Sequence, residues 1–334
     1  MSGSDKRTLV VQDPGGPFAA AFRQAFYDPF ERETGIHIIQ RHNYESTAMQ
    51  REMIATGNYA WDVAVMGLGM NLALRGAGIC DLEPLELGAG LANQYASGHC
   101  DDYFAGDHVY ANILAYRLDA FPDGREPKSW RDFWNLSDFP GRRSLRSYPI
   151  DTMEEALLAD GVKASELYPL DVPRALAALT RISSHVHWWM AGDEQAPLLS
   201  DNKVDMCAIS NLRAVQARNL GAPVGICWNQ NIRTLYGWEI LRGNPRVEIA
   251  REFIRFAVDA KRQAERSKYV AISPVLPAAA QYLTAERLQD LPDAHLDQAI
   301  ECDAAYWSRE RPAMVERFDT WLACAPTSSV RSSR

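Results

Sequence analysis

No stretch of this sequence approaches the ~18 uninterrupted apolar residues that a membrane-spanning helix needs. The best run, Val63 to Leu74, is broken by Gly67, Gly69 and Asn71 and stops at Arg75. Basic excess is lacking too: 43 acidic residues face 35 basic ones, a net charge of −8, which removes the electrostatic case for general nucleic-acid binding. Six cysteines (Cys80, Cys100, Cys207, Cys227, Cys302 and Cys324) are too few and too scattered for a disulfide scaffold. None belongs to a CxxC pair, so zinc-ribbon and thioredoxin-like readings lose their usual signature. Cys207 and Cys227 lie in apolar runs and read as small buried hydrophobes, while Cys80 and Cys100 flank one segment and could pair in an oxidising compartment. The opening Met1-Ser2-Gly3-Ser4 has neither the positive region nor the apolar core of a signal peptide; it reads as a leader standing in place of a removed segment, with a natural cytosolic start as the alternative.

Catalytic signatures are missing as well. There is no GxSxG elbow, no GxxxxGK[ST] phosphate loop and no HExxH. Gly67-Leu68-Gly69 follows a strand as a dinucleotide fingerprint would, but Leu72 stands where the third glycine belongs, and the strand is the third of its set. His185 and His187 alternate on an expected strand and so face one side. No Cys or acidic partner stands close to them in sequence, so they read as strand-start histidines, not a metal pair. No cofactor and no metal are expected.

What is present is an ordinary soluble composition, 47% hydrophobic and 23% charged, over 334 residues, a length that suggests two domains. Thr8 to Gln12 reads as a strand, followed by the turn Asp13-Pro14-Gly15-Gly16-Pro17 and a helix with proline in its first turn. Phe18, Phe22, Phe26 and Phe30 form an apolar stripe along that helix, which Gly35 closes. Ile36 to Gln40, Ser46 to Ala55 and Trp61 to Met66 continue as strand, helix and strand. A β-α-β-α-β run in about sixty residues argues a parallel doubly wound sheet.

A second α/β set follows the Pro- and Trp-rich stretch from Pro122 to Pro140. Strands are expected at Ser144 to Ser147, Val186 to Trp189 and Val204 to Ile209. Helices are expected at Thr152 to Ala159 with Asp151 as N-cap, Pro173 to Ile182, Gln195 to Ser200 and Leu212 to Leu220. Val224 to Trp228 and Leu235 to Leu241 read as two strands on either side of an Asn/Gln-rich loop. Beyond Arg246 the pattern is mostly helical, over Val247 to Val258, Arg262 to Val270 and Ala304 to Leu322.

Open α/β sheets bind ligands at the carboxyl ends of their strands. In the first set these ends are Asp13 to Gly16, Tyr44 to Ser46, and Gly67 to Gly69. In the second they are Arg146 to Asp151 with Tyr148 between, Trp189, Ser210 and Asn211 to Arg213, and Tyr236 to Trp238. Glycine turns leading into helices offer unpaired N–H groups to anions, and Trp189, Tyr236 and Trp238 could cover a ligand's face or lie in the core.

The same stretches carry a resemblance. GGPFAAAFRQAFYDPFERETGIHI, WDVAVMG, PKSWRDFWNLSDFPGRRSLR, DTMEEALLADG, LYPLDVPRALAAL, HVHWWMAGDEQAPLLSDNKVDM, GAPVGICWNQ, EIAREFIRFAVDA and ISPVLP follow one another in the order found in bacterial solute-binding proteins of the spermidine/putrescine type, which serve ABC importers. The chain resembles that family over roughly residues 8 to 285. The resemblance implies an α/β fold of two lobes, the type II-like periplasmic binding protein fold, each lobe a mostly parallel sheet flanked by helices with the ligand in the interlobe cleft. Lobe one would comprise 8-115 plus 242-288 and lobe two 116-241 plus 289-325, with 1-7 and 326-334 as disordered termini. It implies a periplasmic monomer that captures a small-molecule solute by hinge closure and delivers it to an ABC transporter permease, with no bond made or broken, no nucleic acid and no membrane insertion. Ser273, in ISPVLP, joins the expected ligand contacts.

The ligand is where the sequence departs from the polyamine pattern, which needs acidic residues and stacked aromatics around cationic amines. Asp151 keeps one acidic position. Tyr148 stands where a second acid is expected, Ser210 where an aromatic is expected, and around Tyr236-Gly237-Trp238 only Glu239 remains. Arg146, Arg213 and Arg233 occupy or adjoin the site loops, and an arginine fork matches a carboxylate or phosphonate bidentately. The expected ligand is therefore an anionic or zwitterionic solute, such as an organic acid, an amino-acid derivative or an aminophosphonate. A polyamine receptor, an enzyme on the same scaffold and a sensor presenting its closed form to a receptor are the alternatives.

Overall fold

A computed structural model describes residues 7–42, 46–76, 80–121 and 124–326. The chain divides into two compact units, residues 1–109 with 234–289 and residues 110–233 with 290–334. The sequence reading put the first two crossings later, after 115 and after 241, and the last one residue earlier. The described strands are β1 Thr8–Gln12, β2 His37–Arg41, β3 Val63–Gly67, β4 Cys100–Asp101, β5 Phe104–Arg117, β6 Arg143–Arg146, β7 Val186–Trp189, β8 Met206–Ser210, β9 Val224–Glu239, β10 Ser273–Pro274 and β11 Ala299–Glu301.

In the first unit, β1 lies between β2 and β3 and is parallel to both, with Val10 opposite Ile39 and Val11 opposite Val63. The last part of β9 runs antiparallel to β3, pairing Gly67 with Tyr236 and Val65 with Trp238, and β10 pairs antiparallel with the start of β5. The second unit repeats this order. There β6 lies parallel between β7 and β8, β8 pairs antiparallel with the second part of β5, Asn112 opposite Ser210, and β11 adds a parallel edge to β9. Parallel strands covered on both faces read as apolar runs without alternation, and every residue of β3 and β8 is buried.

The phenylalanine stripe packs as its spacing predicts, by a local device the sequence did not announce. Gly16–Phe22 is α-helical, Arg23–Tyr27 is a π-helical turn and Asp28–Thr34 is α-helical again. A four-residue repeat is longer than the 3.6 residues of an α-turn, and the wider π turn absorbs the mismatch, so Phe18, Phe22, Phe26 and Phe30 are all buried. Phe30 and Trp238 both meet Phe253 edge-to-face, at 5.3 and 5.2 Å between ring centres. Each such side chain contributes about 1.5–3 kcal/mol through burial. Gly35 takes φ 71° and closes the last helix.

In the second unit, Val172–Ile182 starts at Asp171, whose carboxylate accepts from Arg174 N at 3.1 Å. The helix turns Ala175, Ala178, Leu179 and Ile182 into a core shared with Trp130, Phe133, Leu157 and Trp307.

Several expectations change. Val224 to Trp228 and Leu235 to Leu241 are not two strands: the Asn/Gln stretch lies inside the single sixteen-residue β9. The fourteen-residue β5 is not read from local pattern; the resemblance implied only a crossing near Ala115 to Leu118, at its end. His185 ends a 3-10 turn before β7 begins, so it does not share a strand face with His187. No disulfide joins the cysteines of the described residues, Cys80 and Cys100 included. Tyr44, and the expected disordered termini apart from Arg7 and Pro326, lie outside the described residues. None of the described helices is long and apolar enough to cross a membrane.

Candidate functional site

The carboxyl end of β1 leads into Asp13, a carboxylate fully buried and fully committed to the protein. Its Oδ1 accepts from Gly15 N at 2.8 Å and meets His42 Nδ1 at 2.8 Å. Its Oδ2 accepts from Tyr27 Oη at 3.1 Å and Gln40 Nε2 at 3.0 Å. Asp13 therefore shapes the turn instead of meeting a ligand, a correction to the sequence reading. Gly15 holds φ 74°, and a Cβ there would stand 3.2 Å from His42 Cβ, so only glycine suits the turn. Gly16 follows, exposed, at the start of the helix. Ser46 is the N-cap of Thr47–Thr56, accepting from Met49 N at 3.3 Å.

Gly67 precedes the helix Leu68–Arg75, with Gly69 half-buried in its first turn. The Tyr236 ring lies 3.4 Å from where a Gly67 Cβ would be, so glycine lets the ring lie on the backbone. Half-buried Tyr236 also stacks on His108, 5.3 Å between centres and 22° between planes. His108 is buried and hydrogen-bonded to Asp107 at 2.7 Å. Burial moves its pKa below the ordinary value despite Asp107. Arg266 closes this buried network as the ion-pair partner of Asp107. Two expected contacts are withdrawn from solvent: Trp238 lies among Phe22, Phe26 and Phe253, and Ser273 is fully buried in the β10–β5 pairing.

The second unit gathers the charge. Arg146 ends β6 with its guanidinium 4.9 Å from the Tyr148 ring centre and 5.9 Å from that of Trp189, distances at which a cation is attracted to a ring face. Ser147 ties the strand ends together, its N and Oγ donating to Trp189 O at 2.7 and 2.9 Å. Trp189 is 2% exposed, and its indole Nε1–H has no hydrogen-bond partner among the described residues.

Asp151 follows within Pro149–Ala159, at φ 70° and ψ −50°. This is the strained positive-φ γ-turn conformation, which tolerates few side chains. The carboxyl is 2% exposed and its Oδ1 has no hydrogen-bond partner among the described residues. It therefore does not act through Oδ1 as the expected N-cap. Burial pushes its pKa up to about 6, against the pull of Arg146 and Arg311. Thr152 Oγ1 fixes the turn by donating to Arg146 O at 3.0 Å.

Ser210 ends β8, its N and Oγ donating to Gln195 Oε1 at 2.9 and 3.0 Å. Asn211 is fully buried and structural: its Oδ1 accepts from Ala111 N and its Nδ2 donates to Asp290 O. Arg213 is 9% exposed and donates to Gln216 Oε1 at 2.9 Å. Burial lowers its pKa, with Asp193 acting the other way. The contrast with the other buried arginines is informative. Arg117, Arg233, Arg251 and Arg266 have carboxylate partners, and Arg143 is wrapped by backbone carbonyls. Arg213 appears in none of the ion pairs among the described residues. Arg233, which the sequence placed beside the site, is spoken for by Asp293 and Glu301 at 2.6 and 2.7 Å.

Sequence reasoning missed Glu154 and Glu155, buried on the same helix as Asp151, and Gln195, which holds Ser210. The signal was legible: two consecutive glutamates inside the apolar helix of MEEALLA. Among the described residues no group of three His, Cys, Asp or Glu is placed to hold a metal. Two surface hollows of about 370 and 220 Å³ share Gly161 and Val162 and include none of the site residues.

Arg213 in no ion pair, Asp151 Oδ1 with no donor among the described residues, and aromatic rings at strand ends are the features the second unit gathers. The description "Bacterial extracellular solute-binding protein" matches residues 25–295, and the chain belongs to that family. It is 31% identical to the gamma-aminobutyric acid-binding protein of Pseudomonas aeruginosa over 328 residues, 96% of this chain and 92% of the relative. Its fold is similar to that of an ABC transporter substrate-binding protein from Bradyrhizobium japonicum USDA 110, at 32% identity and TM-score 0.87, covering 94% and 99% of the two chains. It is also similar to the PBP AgtB of A. tumefaciens R10 in complex with agropinic acid, at 26% identity and TM-score 0.84, covering 95% and 99%. The protein is a solute-binding component of ABC transport, working with a permease, and not an enzyme.

Proposed function

We propose that this protein captures a small zwitterionic solute carrying one carboxylate and one ammonium group, of which 4-aminobutyrate is the simplest example, in preference to a polyamine. Arg213 would take the carboxylate, with Arg146 beside it and the Trp189 indole N–H as a further donor. Asp151 would accept from the ammonium, with Tyr148 and Ser210 shaping the remaining contacts of the second unit; Gly16, Ser46, Gly67, Gly69 and Tyr236 are the candidate contacts of the first unit, taken by itself. The observation that carries the reading is Arg213, nine-tenths buried and in none of the ion pairs among the described residues, with Asp193 acting on it without pairing. A cation withdrawn from water costs stability unless an anion neutralises it, and a ligand carboxylate does that bidentately. Gamma-aminobutyric acid, named for one relative, is of this class, and agropinic acid, bound by another, shares the carboxylic acid. The protein is proposed to act as a monomer in the periplasm.

Titration calorimetry of wild type and Arg213→Ala with 4-aminobutyrate tests this. A charge-assisted hydrogen bond contributes about 1.5–3 kcal/mol, so the variant should bind about 10- to 150-fold more weakly. Equal affinities would remove the support for carboxylate recognition at Arg213.

A further inference from the structure

Below Asp151 the helix Pro149–Ala159 carries a feature that the ligand reading leaves unused. Glu155 stands one turn further along, within electrostatic reach of Asp151, and is fully withdrawn from solvent. Its Oε1 accepts from Asn112 Nδ2 at 2.9 Å. Its Oε2 is buried with no hydrogen-bond partner among the described residues. Asn112 comes from β5, opposite Ser210 at the end of β8. The bond therefore fixes the carboxyl beneath the strand ends where the other candidate ligand groups lie.

The surroundings decide its protonation. Asp151 and Glu154, from its own helix, add like charge, and Arg146 from β6 opposes them. Arg311, from the helix Ala304–Cys324, acts on Asp151. From β8 the neighbouring group is the Cys207 thiol, whose pKa burial pushes up to about 12, so it stays neutral. The packed helices Val172–Ile182 and Trp130–Trp134 supply apolar side chains such as Ala178, Leu179 and Phe133. Two buried carboxylates one turn apart cannot both ionise cheaply. Glu154 is placed differently: its Oε1 accepts from Tyr168 Oη and Trp307 Nε1, each at 2.7 Å, which ties it to the core.

We infer that Glu155 is a second acid of the binding floor, held protonated in the unliganded protein and giving up that proton when a ligand's ammonium group arrives beside Asp151. The inference rests on the zwitterionic-ligand reading. Its balance is simple: the ammonium binds with its charge intact, one proton leaves Glu155 for solvent, and no covalent bond other than that O–H changes. Burial drives the Glu155 carboxyl well above the ordinary range, which agrees with the geometry. Site selectivity follows from this pair. A ligand bearing an ammonium gains both acids, whereas a plain carboxylate gains nothing from Glu155 and is repelled by Asp151 once that carboxyl ionises above about pH 6.

The test compares wild type and Glu155→Gln, which preserves the shape of the protonated acid and its bond to Asn112. Affinity for 4-aminobutyrate is measured by calorimetry across the neutral range, with butyrate as the carboxylate-only probe. One released proton makes wild-type affinity for 4-aminobutyrate rise about tenfold per pH unit. The variant should lose that slope above the range where Asp151 titrates, and butyrate should show no such rise with either protein. Parallel slopes for wild type and variant would overturn the inference. Binding of neither probe to wild type would overturn the ligand reading itself. Glu155 is then decided by the unliganded stability profile. A protonated Glu155 makes the variant at least as stable as wild type at neutral pH, with an advantage that grows as pH rises. A less stable variant there would show an ionised, paired Glu155 and overturn the inference.

Discussion

Asp151 condenses the conflict between stability and binding into one side chain. Its folded pKa of about 6 exceeds its ordinary value of 3.8. The stability it contributes is therefore fully present below the unfolded value and is lost as pH rises through about 6. At neutral pH the buried carboxylate costs about 3 kcal/mol, and asparagine keeps the shape of the side chain without its charge. Asp151→Asn should accordingly raise the unliganded melting temperature at neutral pH and leave it nearly unchanged in acid, while weakening any ammonium-bearing ligand. A thermal melt at two pH values checks this; a destabilised variant at neutral pH would show that the carboxylate is paired. Much of this was legible in the sequence, since Arg146, Asp151 and Arg213 stand at strand ends where ligands bind. What was not legible is which polar residues the fold consumes. Asp13 looks like a site residue until Tyr27, Gln40 and His42 are seen around it. Arg233 looks free until Asp293 and Glu301 arrive from sixty or more residues away.

Among the elements, the parallel strands and the helices between them were readable because local period and turn chemistry agree with the fold. The two long strands were not. In β9, Asn229-Gln230-Asn231 reads as a loop, and Gln230 does take φ 60°. The irregularity is held by distant partners: Trp130 Nε1 donates to Gln230 O, Asn229 Nδ2 to Lys128 O, and Asn231 Nδ2 to His295 O. In β5 the polar pair Asp107 and His108 interrupts the apolar pattern, and its neutralising partner Arg266 lies 159 residues on. Where β9 passes β5 within the first unit, Gly237 has no room for a side chain: a Cβ would stand 2.6 Å from Ala105 O. Such overpacking against backbone costs about 1–3 kcal/mol. Gly237→Ala should therefore lower the unfolding free energy by that amount and the urea midpoint with it; a midpoint equal to wild type would show that the strands part easily.

Taken whole, the chain builds one strand plan twice, three parallel strands followed by a long antiparallel one, from interleaved halves of its sequence. That repetition was partly visible as two β-α-β runs, but the crossings that divide it fall inside β5 and β9, the two strands hardest to read locally. The resemblance to solute-binding proteins supplied the architecture that local pattern left open, and the family match bears it out. The spermidine/putrescine branch fits less well than the zwitterion reading, because the charge gathered in the second unit is of both signs. Thermal denaturation of the wild-type protein with 4-aminobutyrate, butyrate and putrescine is the most direct test of that claim. A ligand at 100 times its dissociation constant adds about 2.7 kcal/mol to the folded state, a rise of several degrees for units of this size. The account predicts the largest rise with 4-aminobutyrate, a smaller one with butyrate and none with putrescine; a rise with putrescine and none with 4-aminobutyrate would contradict it.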